Sequence, residues 1–165
     1  MPCRLGTAPW RVDGLPAWRP AHLAATRAWA DALLLQPNNE SLEWKNSIHN
    51  REWAWCDALF MAPPTLAMLS RETGDPRYLD LCLKLWKKTT DYLYDPAERL
   101  YFRDSRYFTP REKNGKKVFW SRGNGWVLAG LARVLLAMPA LHPERPAMER
   151  LFKDMAGRVA ELQTP

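Results

Sequence analysis

One acidic side chain stands inside an otherwise apolar segment of the chain. Residues 53–64 read WAWCDALFMAPP, so Asp57 lies among tryptophans, a cysteine, a leucine, a phenylalanine and a methionine. Burying an unpaired charge is costly, and an ionised carboxylate is therefore unexpected in such a run. Two interpretations stay open. Either desolvation keeps Asp57 protonated so that it serves as a general acid, or backbone N–H groups at a helix start satisfy its carboxylate.

The spacing around this acid predicts an apolar pocket if residues 53–61 are helical. Trp53 is then four residues before Asp57, and Phe60 and Met61 follow it by three and four residues. Residues at these spacings share one face of a helix. We therefore expect the face of Asp57 to point away from solvent, with Trp53 as one wall of the pocket.

A second stretch with binding chemistry, residues 119–126, reads FWSRGNGW. On an extended strand Trp120 and Arg122 project to the same side, and glycines at 123 and 125 allow a ligand to approach the backbone. An indole face stacks on a sugar ring, and a planar guanidinium binds a carboxylate. The pair therefore suits a uronic sugar. The competing interpretation is a packed tryptophan, a surface arginine and a glycine-containing helix start.

Composition limits the possible partners. The chain has 165 residues, a net charge of +6 and nine tryptophans, which either stack on flat ligands or fill the core. Its densest basic stretch, residues 106–117, lacks any nucleic-acid motif, so we expect an acidic oligosaccharide rather than a nucleic acid. Three scattered cysteines and three scattered histidines predict neither a disulfide scaffold nor a metal site. No apolar run approaches the roughly 18 residues of a membrane span.

The elements that position these residues are predicted to be helices. After the acidic segment the pattern predicts two hairpins, each a small-residue helix, a Pro-containing turn and a bulkier amphipathic helix, with Pro76 and Pro143 opening the bulkier ones. The loop at 95–121 contains LYFRDSRYF and VFWSR, two candidates for short strands. The predicted helices are 21–35, 65–74, 77–94, 123–139 and 143–163. We interpret this organisation as an all-α toroid of αα-hairpins.

Local signals define the middle of this organisation in more detail. Gly74 ends one helix, and Asp75 caps the next, which Pro76 begins. One stripe of that helix is predicted to face the core, which makes its cysteine a core residue: Tyr78, Cys82, Leu85, Trp86, Thr89 and Leu93. Residues 1–22 are predicted to be an irregular Pro-rich arm, and residues 23–165 a helical domain. The start lacks the apolar region of a secretory signal, and localisation and oligomeric state stay open.

Three separated motifs together carry a family resemblance. WCDALFMAPP, RDSRYF and FWSRGNGW, in this order and spacing, resemble the unsaturated rhamnogalacturonyl hydrolases, glycoside hydrolases of the family 88 and 105 type that are related to the unsaturated glucuronyl hydrolases. The resemblance covers about residues 28–162. It implies an (α/α)6 toroid, with Asp57 as general acid and with Trp120 and Arg122 binding the unsaturated sugar. The implied substrates are pectin-derived rhamnogalacturonan oligosaccharides with a 4,5-unsaturated uronic acid at the non-reducing end.

The resemblance leaves two further candidates for sugar binding. Some relatives have a His-containing motif where this chain has FRDSRYF, so the roles of Arg103 and Asp104 are less defined. His49, which precedes Asp57 in the chain, is a further candidate for the pocket. The implied chemistry is hydration: Asp57 protonates C4 and water adds at C5. That scheme needs no metal, no cofactor and no second carboxylate as nucleophile.

Length is where the chain departs from the family. Twelve helices with short connections need roughly 300 residues or more, and this chain supplies about half of that. We therefore expect an incomplete toroid that exposes apolar surface where the ring is interrupted. The alternative is a truncated, non-catalytic remnant that at most binds acidic sugars. A sugar epimerase or inverting glucanase is less favoured, because a second catalytic carboxylate or paired histidines would then be expected.

Overall fold

The fold consists of helices and two long connecting segments, residues 35–57 and 94–120. A computed structural model of the chain describes residues 20–163, with side chains from Leu23 onward. Residues 1–19 of the predicted arm therefore lie outside the described residues. Two short strands, β1 (Tyr94–Asp95) and β2 (Leu100–Tyr101), pair antiparallel. The helices are α1 (Pro20–Leu34), α2 (Ala58–Met61), α3 (Pro63–Thr73), α4 (Pro76–Leu93), α5 (Ser121–Ala137) and α6 (Arg145–Leu162). The all-α prediction is confirmed.

The turn between α3 and α4 forms as its sequence predicts. Gly74 adopts a left-handed φ of 72°, and its N–H donates to the carbonyl of Ser70 at 2.8 Å. Such a φ favours glycine because no Cβ clashes. Asp75 then caps α4 by accepting a hydrogen bond from the N–H of Arg77 at 3.1 Å, and Pro76 occupies the first turn. One helix therefore ends and the next begins within three residues.

The two hairpins pack through their small-residue helices. Helix α3 packs on α4 and α5 packs on α6, while α3 and α5 contact each other, and α1 covers α3 and α4. At Gly130, a Cβ would lie 2.3 Å from the carbonyl oxygen of Leu59. Glycine therefore allows α5 to approach the backbone of α2 closely. The predicted core stripe of α4, including Cys82, is buried throughout.

The first residues of α5 and α6 differ from the sequence prediction. Helix α6 begins at Arg145 with Pro146 in its first turn, so the prediction that Pro143 opens it is wrong. The N–H of Arg145 still bonds the carbonyl of His142 across a preceding turn. Helix α5 begins at Ser121, so the glycines at 123 and 125 lie inside its first turns. Of the two strand candidates, LYFRDSRYF contributes β2, whereas VFWSR forms no strand in this described loop.

Several large apolar side chains remain exposed on the described surface. On and just after α1, Trp29 is 40% and Leu35 88% exposed, and at the end of α5 Leu136 is 79% exposed. Both helices are apolar on more than one face, a pattern typical of helices enclosed by neighbours. Within residues 20–163, no helix is long and apolar enough to cross a membrane.

Candidate active site

Asp57 lies immediately before α2, where it occupies the N-cap position. Its backbone is already helical, with φ −62° and ψ −27°, and its side chain caps no N–H group of the described α2. The carboxylate is therefore not satisfied by the helix start, which was one of the two interpretations of the sequence. The side chain is half-buried instead.

The helix next to this acid is shorter than the sequence prediction of a helix over residues 53–61. Residues 53–57 are not helical, because tertiary hydrogen bonds hold them: Thr89 Oγ1 donates to the carbonyl of Trp53 at 2.7 Å, and the N–H of Cys56 donates to the carbonyl of Arg103 at 2.9 Å. The ring of Trp53 packs against the hydrophobic core, and Met61 is 57% exposed. The prediction that Trp53, Asp57 and Met61 share one helical face is therefore wrong.

The FWSRGNGW stretch supplies the surroundings of Asp57 instead. A Cβ placed on Gly123 would lie 2.7 Å from both Cys56 Sγ and the Trp120 ring, and 3.2 Å from Asp57 Oδ1. Cys56 Sγ itself lies 3.5 Å from Asp57 Oδ1, to which its thiol donates. The two separated sequence motifs thus meet at Gly123, where only a missing side chain leaves room for the carboxylate and the indole.

The surroundings of Asp57 shift its pKa upward. Burial raises the pKa of Asp57, while the hydrogen bond from Cys56 and the positive charges of Arg103 and Arg122 oppose that rise without cancelling it. Burial and the nearby Asp57 also raise the pKa of the Cys56 thiol, which therefore stays a neutral donor. A carboxyl whose pKa is raised by desolvation keeps its proton to higher pH than an ordinary aspartate, which suits general acid catalysis.

Two guanidinium groups flank Trp120. Arg122 Cζ lies 4.6 Å from the centroid of the Trp120 ring, and Arg103 Cζ lies 5.7 Å from it. Trp120 has extended backbone as the last residue before α5, and Arg122 is exposed on the first helical turn. The predicted strand is absent at these residues, but the change from the extended backbone of Trp120 to helix α5 still brings the two side chains together. The arrangement presents an aromatic ring and planar cations beside an acid.

An aromatic cluster forms the other side of Arg103. Arg103 Cζ lies 5.4 Å from the ring centroid of Trp44, on which His49 stacks at 4.7 Å with an interplanar angle of 9°. Trp55 approaches His49 edge-on at 5.9 Å. The structure therefore connects His49 to the site through Trp44 and Arg103.

Sequence reasoning missed Asn124, which fixes the start of α5. Its buried amide oxygen accepts from the N–H of Tyr101 at 2.8 Å. Its amide nitrogen donates to the carbonyls of Tyr101 at 3.0 Å and Trp120 at 3.2 Å. Asn124 therefore ties β2 to the backbone of Trp120. A polar residue between two glycines inside a helix was the available signal, but its partner is distant in sequence. In the described part of the chain, no cluster of three or more metal-ligating side chains occurs.

A helical-hairpin scaffold that places an acid, a tryptophan and arginines together is consistent with a carbohydrate-active protein, and comparison with known proteins identifies which family. The model of Glycosyl Hydrolase Family 88 matches residues 18–165. The chain therefore belongs to this family.

The relatives that match this chain are longer than it is. An unsaturated 3S-rhamnoglycuronyl hydrolase from Formosa agariphila is 44% identical over 154 residues, which cover 86% of this chain and 40% of the relative. A solved structure named a polysaccharide lyase matches with a TM-score of 0.78 and 34% identity, over 89% of this chain and 39% of its own. The chain thus spans about 40% of their length.

The fold prediction is confirmed by the same comparison. A glycosyl hydrolase family 88 structure from Bacteroides vulgatus matches with a TM-score of 0.68 and 30% identity, over 87% of this chain and 44% of that one. Solved neighbours of families 88 and 105 are (α/α)6 toroids. The chain corresponds to part of such a toroid, in a family of glycosidases that act on oligosaccharides.

Proposed function

We propose that this chain carries the acid-bearing part of a glycosidase that removes a 4,5-unsaturated uronic acid from the non-reducing end of an oligosaccharide. The supporting observation is the position of Asp57, a half-buried carboxyl with a raised pKa that adjoins Trp120 and two guanidinium groups. An ordinary two-carboxylate glycosidase needs a second acid at a defined distance. A single acid whose pKa is raised suits a reaction that begins by protonating a carbon atom.

The proposed reaction is hydration of the double bond. The Asp57 carboxyl donates its proton to C4, and positive charge develops at C5 and the ring oxygen. Water adds at C5 and gives its proton to the Asp57 carboxylate, which restores the acid. The resulting hemiketal opens to a ketone at C5 and a hemiacetal at C1, and the hemiacetal releases the aglycone as an alcohol. Asp57 thus serves as acid and then as base.

The binding roles follow from the charges around this acid. We propose that Trp120 stacks on the unsaturated ring and that Arg122, which is exposed, binds its carboxylate. Arg103 contributes a second cation, 5.7 Å from the centroid of the Trp120 ring. His49 lies behind Trp44 and supports that wall. Trp53 packs in the core, so we propose no sugar contact for it.

The aglycone is proposed from the relatives. Two relatives, 44% and 42% identical, are named unsaturated 3S-rhamnoglycuronyl hydrolases, and a third at 25% is named an unsaturated rhamnogalacturonyl hydrolase. Galacturonic and glucuronic acid give the same unsaturated sugar, because C4 becomes planar. The distinction therefore lies on the aglycone side. We propose a rhamnose-linked unsaturated uronate, with rhamnoglycuronyl substrates favoured over the pectin-derived ones that the motifs imply.

The direct test is the ultraviolet absorbance of an unsaturated uronyl-rhamnose disaccharide. The proposal expects absorbance to fall with the native chain, and Asp57→Asn to abolish the fall. Asp91→Asn is the matched control, because Asp91 is an exposed acid paired with Lys87 on α4. A rise in absorbance with longer saturated oligosaccharides would instead indicate a lyase and contradict the proposal.

One observation favours a second candidate, a sugar-binding remnant. The chain spans about 40% of the length of the Formosa agariphila relative, so residues that relatives draw from elsewhere are not supplied by it. In that case the native chain would leave the absorbance unchanged but bind D-glucuronate in calorimetry. Arg122→Gln would then weaken binding, whereas Asp57→Asn would not abolish it.

A further inference from the structure

Asp104 is a fully buried acid that the proposed reaction does not use. Its relative exposure is 0%, and it lies next to Arg103 in the loop after β2. Oδ1 accepts from the backbone N–H of Arg106 at 3.1 Å and from its Nε at 2.8 Å, and Oδ2 accepts from its Nη2 at 3.0 Å. Oδ2 also accepts from Arg103 Nη1. One carboxylate therefore holds two guanidinium groups.

The two arginines share a second surface, the ring of Trp44. Arg106 Cζ lies 4.3 Å and Arg103 Cζ 5.4 Å from its centroid. The backbone N–H of Trp44 donates to Ser105 Oγ at 2.8 Å, which fixes this ring against the same turn. Two like charges in such proximity repel each other, and an anion between them offsets that repulsion. Asp104 supplies that anion.

The direction of the Arg103 side chain depends on this contact. Its backbone is fixed, because its carbonyl accepts from the N–H of Cys56. Its guanidinium makes no other hydrogen bond within residues 23–163 than the one to Asp104. An arginine side chain is long and flexible, so this charged hydrogen bond, together with the contacts to the Trp44 and Trp120 rings, sets where the Arg103 guanidinium lies.

We propose that Asp104 is a positioning residue, which holds the Arg103 guanidinium between Trp44 and Trp120 so that it acts on Asp57. This inference rests on the proposed role of Asp57. The competing explanation is local: Asp104 also caps the short turn Ser105–Tyr107 through the N–H of Arg106, and it would then matter only for folding.

The two explanations predict opposite signs for the acid in the site. The groups that act on Asp57 are Cys56, Arg103 and Arg122, and Asp104 is not among them. If Asp104 positions Arg103, then Asp104→Asn releases a cation from Asp57 and the pKa of Asp57 rises. If Asp104 matters only as a charge or a cap, its removal leaves that pKa unchanged or lowers it, because a negative neighbour is lost.

The test follows the Asp57 carboxyl by carbon-13 NMR through a pH titration, with Asp57→Asn used to assign its resonance. We expect the pKa to rise in Asp104→Asn and to be restored towards the native value in Asp104→Glu. In the Arg103→Gln background, Asp104→Asn should add nothing, since the cation through which it acts is already gone. Asp95→Asn is the matched control, a buried acid that pairs with Lys117, and it should leave the Asp57 titration unchanged.

An unchanged or lowered pKa in Asp104→Asn would overturn the inference, as would an equal effect of that change with and without Arg103. If Asp104→Asn does not fold, Asp104→Ser keeps an acceptor for the N–H of Arg106 and replaces it in the same comparison. The titration needs no turnover, so a chain that fails to hydrolyse the disaccharide contradicts the proposed function while leaving this test intact.

Discussion

Asp57 and Asp104 are two acids of one site with opposite environments. Each precedes a short helical turn, and Arg103 acts on both. Burial raises the pKa of Asp57 and is opposed only in part. For Asp104 burial acts in the same direction, but the hydrogen bonds from Arg106 and the charges of Arg106 and Arg103 outweigh it and lower the pKa.

The difference teaches that hydrogen-bond donors, rather than burial, decide whether the pKa of each acid is raised or lowered. Asp104 is the more buried residue, yet its four hydrogen bonds from N–H donors hold it ionised. From the residues that the structure describes, Asp57 receives a single long hydrogen bond, from a thiol. Two carboxyl groups whose environments separate their pKa values commonly have different functions. We assign proton transfer to Asp57 and positioning to Asp104.

The largest expected effect separates the two acids by activity. Asp57→Asn should lower turnover of the unsaturated disaccharide by about 10²–10⁴-fold, the usual contribution of a general acid or base. Asp104→Asn should lower it by no more than about tenfold, because the proton donor remains. The rate of absorbance loss under saturating substrate measures both. Equal losses in the two variants would mean that the acids have no separate functions.

The free energy of unfolding should distinguish the buried acid Asp104 from an exposed acid. Asp104→Asn removes charged hydrogen bonds from a buried acid, and we expect a loss of about 2–3 kcal/mol in the free energy of unfolding. The arginines are partly exposed and can be solvated, which limits the cost. Asp91→Asn, at an exposed ion pair, should cost less than about 0.5 kcal/mol. Urea titration measures these changes, and a similar cost for both variants would contradict the assignment.

The contact between the two motifs can be tested at glycine. Gly123→Ala places a Cβ against Cys56 and Trp120, so we expect a loss of about 1–3 kcal/mol. Gly125→Ala, two residues on in the same helix, meets nothing within 4 Å. That variant should gain up to about 1 kcal/mol, because alanine favours helices over glycine. Thermal unfolding compares the pair, and equal effects would show that the Gly123 contact is absent.

The smallest effect is the pH dependence of stability. Because the pKa of Asp57 is raised on folding, the native chain binds an extra proton and loses stability as pH rises from about 3.9 through the folded pKa. Asp57→Asn lacks that loss, so it should be the more stable protein at neutral pH, with the difference vanishing in acid. Asp104 behaves oppositely, since its lowered pKa gives stability that is lost as pH falls. Unfolding at several pH values measures both trends.

Local sequence signals predicted much of this scaffold. Gly74 and the Asp75 cap define the α3–α4 turn within a few residues, and period alone identified the buried stripe of α4. The extent of helix around Asp57 could not be predicted, because Thr89 and Arg103 compete for its backbone from distant positions. The predicted site residues Asp57, Trp120 and Arg122 do lie close together in the fold. The contacts of Trp44 and Asp104 with Arg103 could not be predicted, since they exist only after the loop that follows β2 packs against Trp44.

The central claim is that the site raises the pKa of one acid and lowers the pKa of the other. A single carbon-13 NMR titration of uniformly labelled native chain follows the carboxyl carbons of Asp57 and Asp104 together. The account predicts a pKa for Asp57 above the ordinary aspartate value of about 3.9 and one for Asp104 below it. Coincident values, or the reverse order, would contradict the account.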